Sequence, residues 1–301
     1  VGVGNNLWHP VAIPLLGRMF PARKGLALSV HGMGGNVGDA LAPLAVGLLL
    51  SALTWREIVI ANVIPGAAAS ILILYFLGAM SFAPKASSAS GASQNAAPSD
   101  KQSFASYLQG LRALMQTKGL FMLTLSSSFR SMTQGTLLTF LPLYLANEMH
   151  YSVLWVGAGM ALLQLAGFIA APIAGHLSDT MGRRSILMSC YGVSAVVLLL
   201  MTFTGGSVWF VACIAVLGFF LYAARPIMQA WMLEATPKNM GGTAIGLMFG
   251  MQSGAQAIAP ILGGIIADHY GLMAAFYLLA VTIILANVMV YWVPAPEKQN
   301  Q

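Results

Sequence analysis

Two apolar segments, 154–174 and 185–203, are each long enough to cross a bilayer as a helix, which takes about 20 residues. Between them lies only Gly175-His176-Leu177-Ser178-Asp179-Thr180-Met181-Gly182-Arg183-Arg184. That stretch is too short to be a domain, and it holds an acid, two arginines and two glycines. It predicts a tight, charged turn between two membrane helices. Gly175 lets helices approach closely and Gly182 permits a sharp turn. Asp179 is suited to pair with a helix N-terminus or a nearby arginine. Arg183 and Arg184 anchor the turn on the cytoplasmic side.

The rest of the composition agrees. The chain has 301 residues, of which 58% are hydrophobic and 7% charged. Soluble domains carry about 25% charged residues, so an all-α integral membrane protein is expected. An excess of 14 Lys and Arg over 8 Asp and Glu suggests a nucleic-acid partner only until the charges are placed. Nine spans are legible, at about 1–17, 25–52, 58–81, 119–147, 153–175, 185–204, 207–233, 240–267 and 271–293. Loops on the same side as 175–184, with the tail, hold Arg18, Arg23, Lys24, Lys85, Lys101, Arg112, Lys118, Arg183, Arg184, Lys238 and Lys298. The opposite loops hold Arg56 alone, beside Glu57. Positive charge marks the cytoplasmic face, so the charge excess reports topology. It puts the C-terminus in the cytoplasm and residue 1 outside, in a multi-pass protein of the cell (inner or plasma) membrane. Cys190 and Cys213 both fall in apolar segments and imply neither a disulfide framework nor a metal site.

The pattern Gly175-x-Leu177-x-Asp179-x-x-Gly182-Arg183-Arg184 resembles the signature loop of the major facilitator superfamily of transporters, where it joins the second and third helices of a six-helix half. The resemblance implies a major facilitator fold with a partial N-terminal helix bundle and a complete six-helix C-terminal bundle. A full member has twelve spans and starts in the cytoplasm. Nine spans starting outside is the parity left when three are removed, so the chain reads as a fragment beginning at the fourth helix. Such a fragment is expected not to transport on its own. The division expected is 1–82 for the remnant bundle, 83–118 for a cytoplasmic linker, 119–296 for the C-terminal bundle and 297–301 for the tail. Residues 81–103, rich in Ala, Ser and Pro, read as flexible. Phe104, Tyr107, Leu108, Leu111, Leu114 and Met115 then recur at the spacing of an amphipathic surface helix.

An internal repeat supports two related halves. With Pro43 set on Pro260, an offset of 217 positions, Gly25 meets Gly242, Ala27 meets Ala244, Ala40 meets Ala257 and Gly47 meets Gly264. With one residue of adjustment, His9-Pro10 meets Arg225-Pro226.

Within the superfamily, several stretches resemble fosmidomycin-resistance exporters. They are Gly2-Val3-Gly4, His9-Pro10, Gly25-Leu26-Ala27, Gly34-Gly35-Asn36-Val37-Gly38, Pro43-Leu44, Glu234, Pro237, Gly246-Leu247, Gly250 and Gly264-Ile265-Ile266-Ala267-Asp268-His269. That likeness implies drug efflux in exchange for protons. Many antiporters of the superfamily carry Gly-x-x-x-Gly-Pro-x-x-Gly-Gly in the helix matched here by Gly38, Pro43 and Gly47, whereas Ala42 and Val46 replace two of its glycines.

Charged residues inside spans are costly and default to functional candidates. Asp39, Arg130 and Arg225 stand out. Arg130 and Arg225, with Gln134, Gln164 and Gln256, are the candidate substrate-binding residues. Two arginines suit an anion such as a phosphonate or carboxylate, held by charge-assisted hydrogen bonds. Asp39, His9 and His31 are the candidate proton carriers. Each has a structural alternative. Asp39 can hold helices in register by pairing, Arg225 can satisfy carbonyls freed at Pro226, His9 and His31 can pack, and the glutamines can bridge helices. Tyr144 and Trp155, at span ends, fit an interfacial aromatic belt.

The expected function is secondary active transport by alternating access, with proton-coupled drug efflux leading and proton-coupled uptake of an organic anion second. The partners are a small-molecule substrate, protons and the bilayer, with no nucleic acid, no cofactor and a monomeric state. The alternative of a different class, an intramembrane enzyme, needs a nucleophile and base in reach of each other. No Gly-x-Ser-x-Gly, His-Glu-x-x-His or P-loop pattern occurs.

Overall fold

The computed structural model describes residues 2–49, 52–78, 104–205, 207–237 and 240–294. The regular elements among them are all α-helices: α1 (Gly2–Met19), α2 (Lys24–Leu49), α3 (Trp55–Ala61), α4 (Val63–Gly78), α5 (Phe104–Gln116), α6 (Lys118–Asn147), α7 (Val153–Met181), α8 (Arg183–Phe203), α9 (Val208–Ala235), α10 (Gly241–Tyr270) and α11 (Leu272–Tyr291). Each of the nine expected spans is helical over most of its described residues. The third is interrupted at Asn62, which joins α3 to α4 and whose side-chain amide donates to the carbonyl of Ile58 at 2.8 Å. Thr54 and Glu57 form a capping box that starts α3. The linker expected at 81–103 lies outside the described residues. A helix, α5, stands where the amphipathic one was expected after it.

Six of the described helical segments are long and apolar enough to cross a membrane: Trp55–Tyr75, Val153–Met181, Arg183–Phe203, Val208–Ala235, Gly241–Tyr270 and Leu272–Tyr291. The three other expected spans, α1, α2 and α6, fall outside that group. They interrupt their apolar sequence with His9, with His31, Asn36 and Asp39, and with Ser126, Ser127, Ser128 and Arg130. Of these, Asn36, Ser126, Ser127, Ser128 and Arg130 are buried among the helices, while Asp39 is exposed.

The core lies among α6 to α11, where Leu123, Leu137, Leu163, Leu198, Ile214, Leu217, Phe276 and Ile283 are fully buried. α6 packs on α10 and α11, α7 on α9, and α8 on α9 and α11. Polar bridges add register to this packing. Ser126 Oγ donates to the Ala286 carbonyl at 2.8 Å, and the hydroxyls of Thr133 and Thr282 are 2.8 Å apart. Tyr144 departs from the sequence expectation. It is buried against Phe210 and Phe276, at ring-centroid distances of 4.8 and 5.5 Å, because the last turns of α6 fold over the ends of α9 and α11. Trp155, at the start of α7, stays 65% exposed, as the aromatic belt requires.

The two earliest helices lie across this bundle. α2 runs along α7 and α9, and α1 meets α10 and α9. The repeat read from sequence appears in the boundaries: α2 starts at Lys24 and α10 at Gly241, the same 217 positions apart.

Candidate functional site

At the end of the bundle that carries Gly182, four helices are joined through two acids and one base. The first N–H groups of a helix have no intrahelical acceptor and favour a negative charge. In α2 those groups donate to Asp179, Gly25 N to Oδ1 at 3.0 Å and Leu26 N to Oδ2 at 3.1 Å. Arg183 pairs with the same carboxylate. It also forks onto Glu234 of α9, with Nη2 at 2.9 Å and Nε at 3.3 Å, and Nη1 donates to Ser178 Oγ at 2.6 Å. Asp179 thus caps α2 while Arg183 ties the ends of α7, α8 and α9 together. Arg184 points elsewhere: it donates to the Tyr291 carbonyl and lies 5.4 Å over the Tyr291 ring, tying α8 to α11.

The cap depends on two residues without side chains. A Cβ on Gly175 would lie 2.7 Å from the Gly25 carbonyl oxygen, and one on Gly25 would lie 2.7 Å from the Gly175 carbonyl oxygen. Ser29, one turn into α2, donates to the Gly25 carbonyl at 2.6 Å and fills the space beside Gly175. The expectation that the whole stretch 175–184 forms a turn is corrected. α7 stays helical to Met181, α8 starts at Arg183, and Gly182 alone makes the turn, with φ at +94°. Asp179 lies in the last turn of α7 and Arg183 opens α8, so the single-residue turn at Gly182 brings the acid and the base together.

Near the middle of the helices two adjoining cavities gather most of the candidates. One, of about 300 Å³, is lined by His9 of α1, His31, Gly32, Gly35 and Asp39 of α2, and Arg225, Pro226 and Gln229 of α9. The α2 residues follow helical spacing, so one face presents the imidazole, two glycines and the carboxylate together. The other, of about 180 Å³, is lined by His9, Arg130, Ser131 and Gln134 of α6, Arg225, and Phe249, Gln252, Ser253 and Gln256 of α10. Here the two arginines come together. Arg130 is 3% exposed and donates to Gln134 Oε1 at 2.8 Å, while its Nε has no partner. Arg225 Nη2 lies 3.4 Å from His9 Nε2, and the His9 ring sits 4.7 Å from the Phe249 ring. No acid forms an ion pair with either arginine among the described residues. Two guanidinium groups stand here with carboxamides that both donate and accept, groups able to hold an anion.

His9, His31, Asp39, Arg130, Gln134, Arg225 and Gln256 all line this pair of cavities. Gln164 does not. It is buried in α7 with Oε1 unpartnered, because the α7 face it occupies, with Leu163 and Gly167, is turned onto α9. Sequence reasoning missed Gln229, Gln252, Ser131 and Ser253. Two of them carried a signal: Gln229 is one turn after Arg225, and Gln252 is one turn before Gln256.

Comparison with known proteins adds the following. The family model described as Major Facilitator Superfamily matches residues 1–169 and 123–301. Multidrug resistance protein MdtG of Yersinia enterocolitica is 32% identical over 180 residues, covering 58% of this chain and 43% of that protein. The protein of the same name from Serratia proteamaculans is 34% identical over 179 residues, covering 57% and 43%. The chain therefore spans less than half the length of these curated relatives. Among solved structures, the transporter FucP in the outward conformation superposes with a TM-score of 0.74 at 13% identity, over 95% of this chain and 72% of that one. A bacterial homologue of the iron transporter ferroportin, in an outward-facing state, gives 0.53 at 21% identity, over 60% and 46%.

Proposed function

This chain belongs to the major facilitator superfamily, and from that premise we propose that it acts in proton-coupled secondary transport of a small organic anion by alternating access. The observation that carries the reading is the convergence of Arg130 and Arg225, with Gln134, Gln252 and Gln256, on one cavity inside the helix bundle. Buried guanidinium groups without acids select a bound anion, because an uncompensated buried charge is costly. The cytoplasmic face is the end that carries Gly182, in the inner or plasma membrane, with the C-terminus on the same side and the protein working as a monomer. The Asp179–Arg183–Glu234 assembly ties α2, α7, α8 and α9 together at that end.

Export is the leading direction. It is supported by the resemblance to proteins named for multidrug resistance and by the placement of Asp39, His9 and His31 beside the arginines, where a proton carrier is needed. The second reading, uptake of the anion together with protons, is supported by the charge relation between Asp39 and Arg225.

The test is proton flux and anion flux measured together in everted membrane vesicles carrying this chain within a complete transporter, with a phosphonate as the anion. Exchange of protons for phosphonate, lost in Asp39→Asn, supports export. Movement of both in one direction supports uptake. Movement of neither overturns the anion-transport reading.

A further inference from the structure

A third cavity, of about 640 Å³, shares no lining residue with the two central ones. α7 and α9 both finish at the Gly182 end, where Glu234 meets Arg183. Their first turns therefore lie at the opposite end, and those turns form the two sides of this cavity. The walls are apolar: Leu145 of α6, Ala158, Gly159 and Leu162 of α7, and Val211 and Ile214 of α9. His150, Tyr151 and Ser152, consecutive in the connection from α6 to α7, make a polar rim.

Rim and floor are both fixed by local structure. His150 has a left-handed backbone, with φ at +52°, a conformation that histidine adopts more readily than most residues. Past that turn, Tyr151 N donates to the Leu145 carbonyl at 2.9 Å, which folds the connection back over the end of α6. Leu145 and Ile214 are buried, and Leu145 Cδ1 packs onto Gly159, where a Cβ would come within 2.9 Å of it. The space is thus formed by the chain itself, before any occupant enters.

Its mouth lies on an apolar outer face. Leu165, Ile169 and Ile173 continue the line of Leu162 along α7 at helical spacing, all exposed, and α9 opens with exposed Val208 and Trp209. Helix contacts inside a membrane favour small residues, so a stripe this bulky suits lipid. Trp155, exposed beside the cavity, marks the edge of the hydrocarbon region, where tryptophan concentrates. Water gains few hydrogen bonds within such walls, and hydrocarbon supplies the carbon contacts that they otherwise lack.

We propose that this cavity binds an acyl chain of a phospholipid from the leaflet at that end, with the phosphodiester at the His150–Ser152 rim. The chain fills the space between the first turns of α7 and α9. At the rim, the Tyr151 and Ser152 hydroxyls and the His150 imidazole are donors from which a phosphodiester accepts. The described lining holds no acid to repel it. The site stands whatever the Arg130 cavity carries.

The experiment uses this chain within a complete transporter, reconstituted in nanodiscs that contain a small fraction of a phosphatidylcholine with a diazirine in its acyl chain. After irradiation, peptide mass spectrometry maps the points of attachment. Label on Ala158, Leu162 and Val211 is expected to exceed that on Leu165, Ile169 and Ile173 by about fivefold, because each added carbon contact contributes only a little. Ala158→Phe puts a ring into the space and should bring the cavity label down to the level of the stripe. Leu165→Phe, outside the cavity, should leave it unchanged. Cavity label no higher than that of the stripe, or unaffected by Ala158→Phe, overturns the proposal. Should Ala158→Phe fail to fold, Val211→Phe fills the same space from α9 and decides in its place. A diazirine fatty acid that labels the walls where the phospholipid does not overturns the phospholipid as occupant.

Discussion

His9 Nε2 and Arg225 Nη2, 3.4 Å apart, join two positions that the internal repeat makes equivalent. Each precedes a proline, Pro10 and Pro226, inside its helix. Equivalent helices of two related halves thus face each other through non-equivalent side chains, one titratable near neutral pH and one permanently charged. The asymmetry puts a guanidinium where the related position carries an imidazole, with Asp39 lining the same cavity.

Removing that charge should be costly to transport. Arg225→Gln is expected to lower the initial rate of anion flux about 10- to 100-fold, the range of one charge-assisted hydrogen bond at about 1.5–3 kcal/mol. Arg225→Lys should recover part of the loss, since the charge returns without the fork. Initial rates in vesicles, normalised to the amount of inserted protein, check both.

Asp179→Ala removes the acceptor for the Gly25 and Leu26 N–H groups. Loss of a helix cap costs about 1–2 kcal/mol, which corresponds to roughly 5- to 30-fold faster amide exchange at those two positions. Hydrogen-exchange mass spectrometry over the start of α2 reads this directly. Glu234→Gln should change it much less, because that carboxylate is 36% exposed and touches α2 only through Arg183.

Gly175→Ala tests the close crossing of α7 and α2. Ser29 can rotate away, but the Gly25 carbonyl is backbone and cannot. Overpacking of this kind costs about 1–3 kcal/mol. A lowered thermal unfolding temperature in detergent is expected, with Gly175→Leu failing to yield folded protein.

Tyr144→Ala opens a hole among Phe210 and Phe276 and should cost about 3–5 kcal/mol, whereas Tyr144→Phe keeps the rings. Thermal melting of both variants separates packing from any contribution of the hydroxyl.

The helices were legible because lipid-spanning length and apolar composition admit little else, and the signature acid and base were legible because charge is scarce in this chain. Tyr144 was misplaced because hydropathy marks the end of a span without saying whether neighbouring helices fold over it. Asp39, Arg130 and Arg225 were found by being charged inside spans. Gln164 was grouped with them on polarity alone, and only the rotation of α7 against α9 excludes it from the cavities. Gln229 and Gln252 escaped for the converse reason. A glutamine in an apolar helix carries no mark of its direction until its neighbours one turn away are known to face a cavity. The length of the helical part of 175–184 was underestimated because glycine is a weak helix former, and Gly175 is helical here for the crossing it permits.

That crossing also acts as a fulcrum. Gly25 and Gly175 touch backbone to backbone, so α2 can tilt there without dragging bulky side chains over one another. Asp39 is 14 residues further along α2, about 21 Å at 1.5 Å per residue. Each degree of tilt about the glycine contact would therefore sweep its carboxylate by about 0.4 Å over that arm. A rocking of about 10° moves it by roughly 4 Å, more than a hydrogen-bond length. The least substituted point of the helix pair is thus the one that sets how far the acid can travel from Arg225.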